Sequence, residues 1–313
     1  MYKDEVEIKN PFLRLKSRYL VFATALGVNS LVALPLFVVG EAGWLPDALD
    51  PAIVTALEIG MRGAIAAIIL WIVREEGLVL RHLFGPLVGR WRPRFSIFYG
   101  LILVLSLLVF SLGSFSLFFA IAAIALPEYA AQILQSASVL EGTQGQFPYL
   151  SNALMLTLVL AIAPVVEELI FRGILLQRWA TKWGLGRALL ASSILFGLLH
   201  PNNPVGLTLF GLAMGLLYIQ TRSLWVPIVF HALNNLAAVG LAGLSNLTGG
   251  NEVSVTVADV QAGWKVGLVL VLISAPFLWR FVRRSWPQPA AAIPYLINFG
   301  KVENGKSVAD AIR

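Results

Sequence analysis

The chain has 313 residues, 58% hydrophobic and 13% charged, where soluble domains carry about 25% charged residues. A mean hydropathy of +0.79 excludes an ordinary soluble domain and points to a polytopic helical membrane protein. The net charge of +6 would admit a nucleic-acid partner, but the placing of the charges argues otherwise, and the absence of cysteine rules out disulfide and thiolate sites.

Residues 1–18 are polar and basic, with Lys3, Lys9, Arg14, Lys16 and Arg18. The apolar run 19–39 has 21 residues, longer than the 7–15 of a signal-peptide core. It is expected as an uncleaved first transmembrane helix, since a span needs roughly 20 apolar residues. A second helix is expected at 52–73, with Glu58 and Arg62 at i,i+4, read as a structural salt bridge rather than a substrate contact. The connector 74–95 is basic and carries Trp91, suited to the membrane interface. A third helix spans about 96–126, long enough to tilt or to contain a break. The loop 127–148 follows, and a fourth helix begins near Tyr149. Further helices are expected at 187–200, 205–221, 225–243 and 262–282, and the tail 283–313 as a mostly polar appendage.

Lys and Arg fall on alternate connectors: 21 of the 23 do so, leaving only Arg62 and Lys265 outside the pattern. Positive residues favour the cytoplasmic side, so the expected fold class is all-α. It is a transmembrane bundle of about eight helices with both termini cytoplasmic. A nucleic-acid-binding surface would need a clustered basic patch and a fold to present it, and none is visible. The chain is expected to divide into an N-terminal segment 1–18, helices one to three at 19–148, a core at 149–243, a loop and last helix at 244–282, and a cytoplasmic tail 283–313.

Three stretches place polar groups inside this apolar bundle. The first is Pro164-Val165-Val166-Glu167-Glu168-Leu169-Ile170-Phe171-Arg172-Gly173. Charges within hydrocarbon cost from about 2.5 to over 10 kcal/mol each, so they imply function or an internal ion pair. Glu168 and Arg172 stand at i,i+4 with the acid first, the favourable order for a pair. Glu167 is rotated by about 100° from Glu168 and remains free for chemistry. The second stretch is Phe196-x-x-x-His200, and the third is His231-x-x-x-Asn235 with Asn234 beside it. Each has a plain structural reading: a packing ion pair, a helix cap, a helix–helix hydrogen bond. Taken together they form a hydrolytic set. Glu can act as general base on a water, and His and Asn can donate to a developing oxyanion. The same Glu and two His could instead hold a divalent metal such as zinc, with a position left for water.

Glu-Glu-x-x-x-Arg, Phe-x-x-x-His and His-x-x-x-Asn, in this order on successive helices, resemble the CPBP (Abi) family. That family comprises the type II CAAX prenyl endopeptidases together with bacteriocin-processing and immunity proteins. The resemblance covers about 150–243 and implies an intramembrane endopeptidase acting on a peptide or membrane-protein substrate. By matching position, Glu167 would activate the water, with Glu168 and Arg172 supporting it. His200 would help hold that water, while His231 and Asn235 would stabilise the oxyanion. The family's description as metal-dependent or glutamate-dependent leaves a metal at Glu167, His200 and His231 open.

Straight spans raise a difficulty of depth. His200 lies some 20 Å from the start of its helix, whereas His231 lies only about 10 Å into helix seven. Either the 222–226 turn is sunk into the bundle, or helix five is short and tilted within a water-filled cavity that opens toward the cytoplasm. The clean charge pattern suggests a bacterial inner membrane, where a prenylated substrate is not expected. A non-proteolytic scaffold or immunity factor on the same fold is the alternative, and Gly211-x-x-x-Gly215 offers it a packing face. A transporter is a weaker reading, since no motif repeats between the two halves.

Overall fold

The computed structural model describes residues 10–16, 50–87, 97–128, 147–248, 261–289 and 291–303. The expected first span, 19–39, lies outside them. Nine helices occur among the described residues, and no strand. Helix α1 is Pro51–Glu75, opened by Asp50, whose side chain accepts from the Ala52 amide at 2.9 Å. Proline at its first position has no amide to leave unpaired. Helices α2 (Leu80–Phe84) and α3 (Ile97–Ala125) follow, then a long α4 over Pro148–Trp183. The remainder are α5 (Leu185–Leu198), α6 (Pro204–Thr221), α7 (Trp225–Thr248), α8 (Trp264–Ser285) and α9 (Pro294–Glu303).

Six of these, α1, α3, α4, α6, α7 and α8, are long and apolar enough to cross a membrane. The chain is thus an integral, multi-pass membrane protein. Its outward-facing side chains agree: Trp71, Leu105, Ile124, Ile273 and Trp279 are all at least 60% exposed, a placing that suits lipid and not water. The interior is close-packed around Phe171, Phe196, Phe210, Met214 and Leu217, each buried. Helix α8 lies along α3, α5 along α6, and α7 against the middle of α4. The α3–α8 contact needs glycine on both sides. A Cβ on Gly113 would meet the Gly267 carbonyl at 2.7 Å, and a Cβ on Gly267 would meet that of Gly113 at 2.8 Å.

Helix α5 has 14 residues, about 21 Å, short of the ~30 Å hydrocarbon core. The α6–α7 turn is enclosed: Ser223 and Leu224 are fully buried. The Leu224 amide donates to the Phe84 carbonyl at 2.8 Å, and the Ser223 hydroxyl to that of Pro86 at 2.6 Å. With α5 short and the α6–α7 turn enclosed, His200 and His231 both come to about 4 Å from Glu167.

The tail is more than a polar appendage. Helix α9 buries Tyr295, with Ile293 buried just before it, and is tied to the bundle by hydrogen bonds. The Tyr295 amide donates to Gln177 Oε1 at 2.8 Å, and the Val79 amide donates to the Tyr295 hydroxyl at 3.0 Å. Asn298 Nδ2 donates to the carbonyls of His82 and Arg222 at 3.0 and 2.9 Å. Each bond satisfies a backbone or amide group that would otherwise be buried without a partner.

Candidate active site

Helix α4 is irregular where the motif lies. Two π-helical segments, Leu158–Ile162 and Leu169–Leu176, flank a short α-helical stretch, Ala163–Glu168. Proline explains the first. In the π register the Ala163 amide bonds the Leu158 carbonyl, so the next donor, for Val159, would be residue 164. That residue is Pro164 and has no N–H. The Val159 carbonyl is supplied instead by Asn235 Nδ2 from α7, at 2.9 Å. Single π turns of this kind gather at functional sites. In the second segment, Gln177 Nε2 donates to the Gly173 carbonyl at 2.7 Å.

Glu168 is fully buried and pairs in two directions. Its Oε1 accepts from Arg172 Nη1 at 2.9 Å and from His231 Nδ1 at 2.8 Å. Arg172, also buried, donates through Nη2 to the Gly211 carbonyl at 2.9 Å and lies over the Phe196 ring at 4.7 Å. Glycine at 211 is what allows this approach, since a Cβ there would sit 3.3 Å from that guanidinium nitrogen. Gly215 likewise admits Leu189 of α5, so the Gly211-x-x-x-Gly215 face serves internal packing.

Glu167 points the other way. Its Oε2 faces His200 Nε2 at 4.0 Å and His231 Nε2 at 3.9 Å. These separations exceed a direct hydrogen bond and suit a bridging water. The other nitrogen of each imidazole is held: His200 Nδ1 lies 2.6 Å from the Phe196 carbonyl, and His231 Nδ1 bonds Glu168. A carbonyl and a carboxylate accept, so each Nδ1 donates, and each Nε2 is turned toward Glu167. The rings are fixed by aromatics, Phe196 against His200 at 4.6 Å between centroids and Phe210 against His231 at 4.9 Å. The His200 side chain is 29% exposed, while those of Glu167 and His231 are at most 7% exposed. His200 is therefore the most accessible of the three.

The expected six residues, Glu167, Glu168, Arg172, His200, His231 and Asn235, come together from α4, the end of α5 and α7. Asn235 differs in emphasis, because one N–H is committed to the Val159 carbonyl. Two contributors were not anticipated. Arg62 forms the expected pair with Glu58, at 3.7 Å, but its Nη1 also reaches within 4.0 Å of Glu167 Oε1. A charged pair inside an apolar span was the available signal. Asn203 caps α6 and anchors the turn after His200 to α3: it accepts from Ser114 Oγ at 3.0 Å and donates to Ser111 Oγ at 2.8 Å.

Whether Glu167, His200 and His231 suit a metal can be judged on their chemistry and spacing. The chemistry is favourable, since each histidine has the outer hydrogen bond that metal-binding imidazoles carry. The spacing is not: tetrahedral zinc with bonds near 2.1 Å sets its donors about 3.4 Å apart, closer than the 3.9 and 4.0 Å here. As placed, the three do not close a coordination shell, and among the described residues no other such group does.

Residues 149–237 match a family model described as type II CAAX prenyl endopeptidase Rce1-like. The chain is 33% identical over 88 residues to Putative membrane peptidase YdiL of Bacillus subtilis (strain 168), an alignment covering 28% of this chain and 36% of that protein. The chain thus spans about a third of the length of that relative. No solved structure matches the chain. The matched segment contains all six motif residues and leaves Arg62 outside it. Over 149–237 this multi-pass membrane protein is therefore similar to the type II CAAX prenyl endopeptidase Rce1-like family.

Proposed function

We propose that the protein is an intramembrane endopeptidase that hydrolyses a peptide bond with a water activated by Glu167. The observation that carries this reading is the carboxylate of Glu167 facing two imidazole Nε2 atoms at 3.9 and 4.0 Å, each ring fixed through its Nδ1. A water bridging these groups would be oriented by His200 and would give its proton to Glu167 as its oxygen bonds the peptide carbonyl carbon. The resulting oxyanion needs donors. Asn235 has one N–H left, and His231 can donate from Nε2 when doubly protonated, a state balanced by the Glu168 carboxylate at Nδ1. Collapse of the intermediate breaks the C–N bond, and Glu167 returns its proton to the leaving amine. Arg172 keeps Glu168 paired and in place.

The substrate class is a peptide or membrane-protein segment reaching the bilayer. The setting is a bacterial inner membrane, with the arginine-rich ends of the helices cytoplasmic. Glu167→Gln and Glu168→Gln separate the roles. Glu167→Gln should leave the melting temperature of the detergent-solubilised protein near wild type and lower cleavage at least about 100-fold. Glu168→Gln removes one partner of a buried charge cluster, which costs about 3–5 kcal/mol, and should lower the melting temperature itself. Normal cleavage by a well-folded Glu167→Gln protein would remove the assignment. Activity before and after chelation, with metal analysis of the same sample, separates the glutamate and metal mechanisms.

A further inference from the structure

Between His231 and Asn235 on α7 stands Asn234, which the mechanism leaves without a task. Its carbonyl oxygen Oδ1 is buried and has no hydrogen-bond partner among the described residues, although the residue as a whole is only half-buried. Buried side-chain acceptors nearly always have a partner, because an oxygen stripped of water and left bare carries a desolvation cost with no return. Two other buried atoms in the same condition, Arg62 Nε and Glu168 Oε2, belong to residues that meet Glu167 and His231. Bare polar atoms thus gather around the candidate active site.

Helix geometry sets the place of Asn234. It follows His231 by three residues, about 4.5 Å further along α7 and about 60° round from it, while Asn235 lies about 40° round on the other side. Asn235 is the one committed to α4, through the Val159 carbonyl. The opposite flank is marked by Phe230, buried one turn before Asn234, whose ring would lie 2.7 Å from a Cβ on Gly100 of α3. Asn234 is therefore on the flank of α7 between α4 and α3. One turn further on, Ala238 is exposed, so Asn234 stands at the rim of the packed interior, next to the imidazole that faces Glu167.

The missing partner must bring a donor to this rim. A peptide backbone carries one N–H at every residue other than proline. In a transmembrane helix those groups are taken up within the helix, whereas an extended segment has them free. Main-chain bonding of this kind holds a strand without reading its side chains. An extended chain advances about 3.3 Å per residue, so a contact one helical turn from His231 falls within a residue or two of the bond being cut.

We propose that Asn234 is a substrate-binding residue whose Oδ1 accepts a backbone N–H beside the scissile bond, so that the substrate is held there as an extended segment. This rests on the proteolytic reading above. With the full chain in detergent, a random-sequence peptide mixture is digested, and one peptide that the wild type cleaves is resynthesised with the amide N–H groups flanking the cut replaced, one at a time, by ester oxygen. At one position the ester should raise the wild-type KM about fivefold with kcat little changed, the worth of one neutral hydrogen bond, and should leave the KM of Asn234→Leu unmoved. Asn234→Leu should itself raise KM for the all-amide peptide by the same factor. Its melting temperature should stay at or above that of the wild type, because a bare acceptor has been removed. A lower melting temperature with unchanged KM would give the oxygen a structural partner such as an ordered water and overturn the proposal. Equal sensitivity of wild type and Asn234→Leu to every ester would overturn it too. Cleavage that persists in Glu167→Gln would remove the Glu167 assignment alone, since the ester comparison reads Asn234 in either case.

Discussion

Two adjacent glutamates on one helix face different partners because one residue of helix turns a side chain by about 100°. Glu168 spends its charge on Arg172 and His231 at 2.9 and 2.8 Å. Glu167 meets Arg62, His200 and His231 only at 3.9–4.0 Å. This division was legible in the sequence, since i,i+4 spacing assigns Arg172 to Glu168 and leaves Glu167 over. Arg62 was legible only in part. Spacing within one helix finds its partner Glu58, but nothing in a single sequence reports that α1 lies against α4. On the proposed mechanism Arg62, at 4.0 Å, is a positioning residue for Glu167. Its 16% exposed side chain adds a positive charge where screening is weak. Arg62→Met is therefore expected to lower kcat roughly tenfold, about 1.4 kcal/mol, with KM little changed and partial recovery in Arg62→Lys. Glu58→Gln, at a side chain that is 35% exposed, should have a small effect. A merely structural ion pair would make Glu58→Gln and Arg62→Met equivalent in melting temperature and leave kcat alone in both.

At the level of the element, the informative feature is the break in α4. Regular periodicity of 3.6 places the motif on a helix and predicts its pairs, but it is silent on π turns. The clue was Pro164 inside an apolar run, and it reads as a cause only once the ladder is traced: the Ala163 amide has moved to Leu158, leaving the Val159 carbonyl with no backbone donor. Asn235 fills that place at 2.9 Å, so the residue assigned to an oxyanion also holds α7 against the motif helix. Such hydrogen bonds in membranes are worth about 0.6 kcal/mol on average, more where a buried carbonyl is left bare. Asn235→Leu is accordingly expected to cost about 1–2 kcal/mol of stability. Pro164→Ala restores an amide that can take the Val159 carbonyl, so the double variant should lose less than the sum of the two. A double-mutant cycle on the solubilised protein measures that coupling. Strict additivity would mean the proline is not what orphans the carbonyl.

Over the whole molecule, hydropathy and positive charge placed every span that the structure describes, because the bilayer demands continuous apolar runs with satisfied backbone. The tail escaped the same logic. Residues 294–303 are neither long nor apolar enough to announce a span, and a polar segment acquires burial only from its partners. Those partners are distant in sequence: Gln177 on α4, Val79 and His82 around α2, and Arg222 after α6. The same α2 region receives the Tyr218 hydroxyl, which donates to the Leu83 carbonyl at 3.0 Å, and the recessed α6–α7 turn bonds Phe84 and Pro86. Helix α9 thus clamps the turn whose depth sets the level of His231. Tyr295, 1% exposed, is the centre of that clamp. Truncating it to alanine should cost about 3 kcal/mol or more, and Tyr295→Phe about 1 kcal/mol for the lost hydroxyl acceptor, both read as falls in melting temperature. Because the turn carries α7, the alanine variant should also lose cleavage while keeping its membrane insertion, whereas Glu167→Gln loses cleavage at full stability. If Tyr295→Ala cleaved normally despite a lower melting temperature, the level of His231 would have to be set by the α6–α7 turn's own bonds to Phe84 and Pro86, without help from the tail.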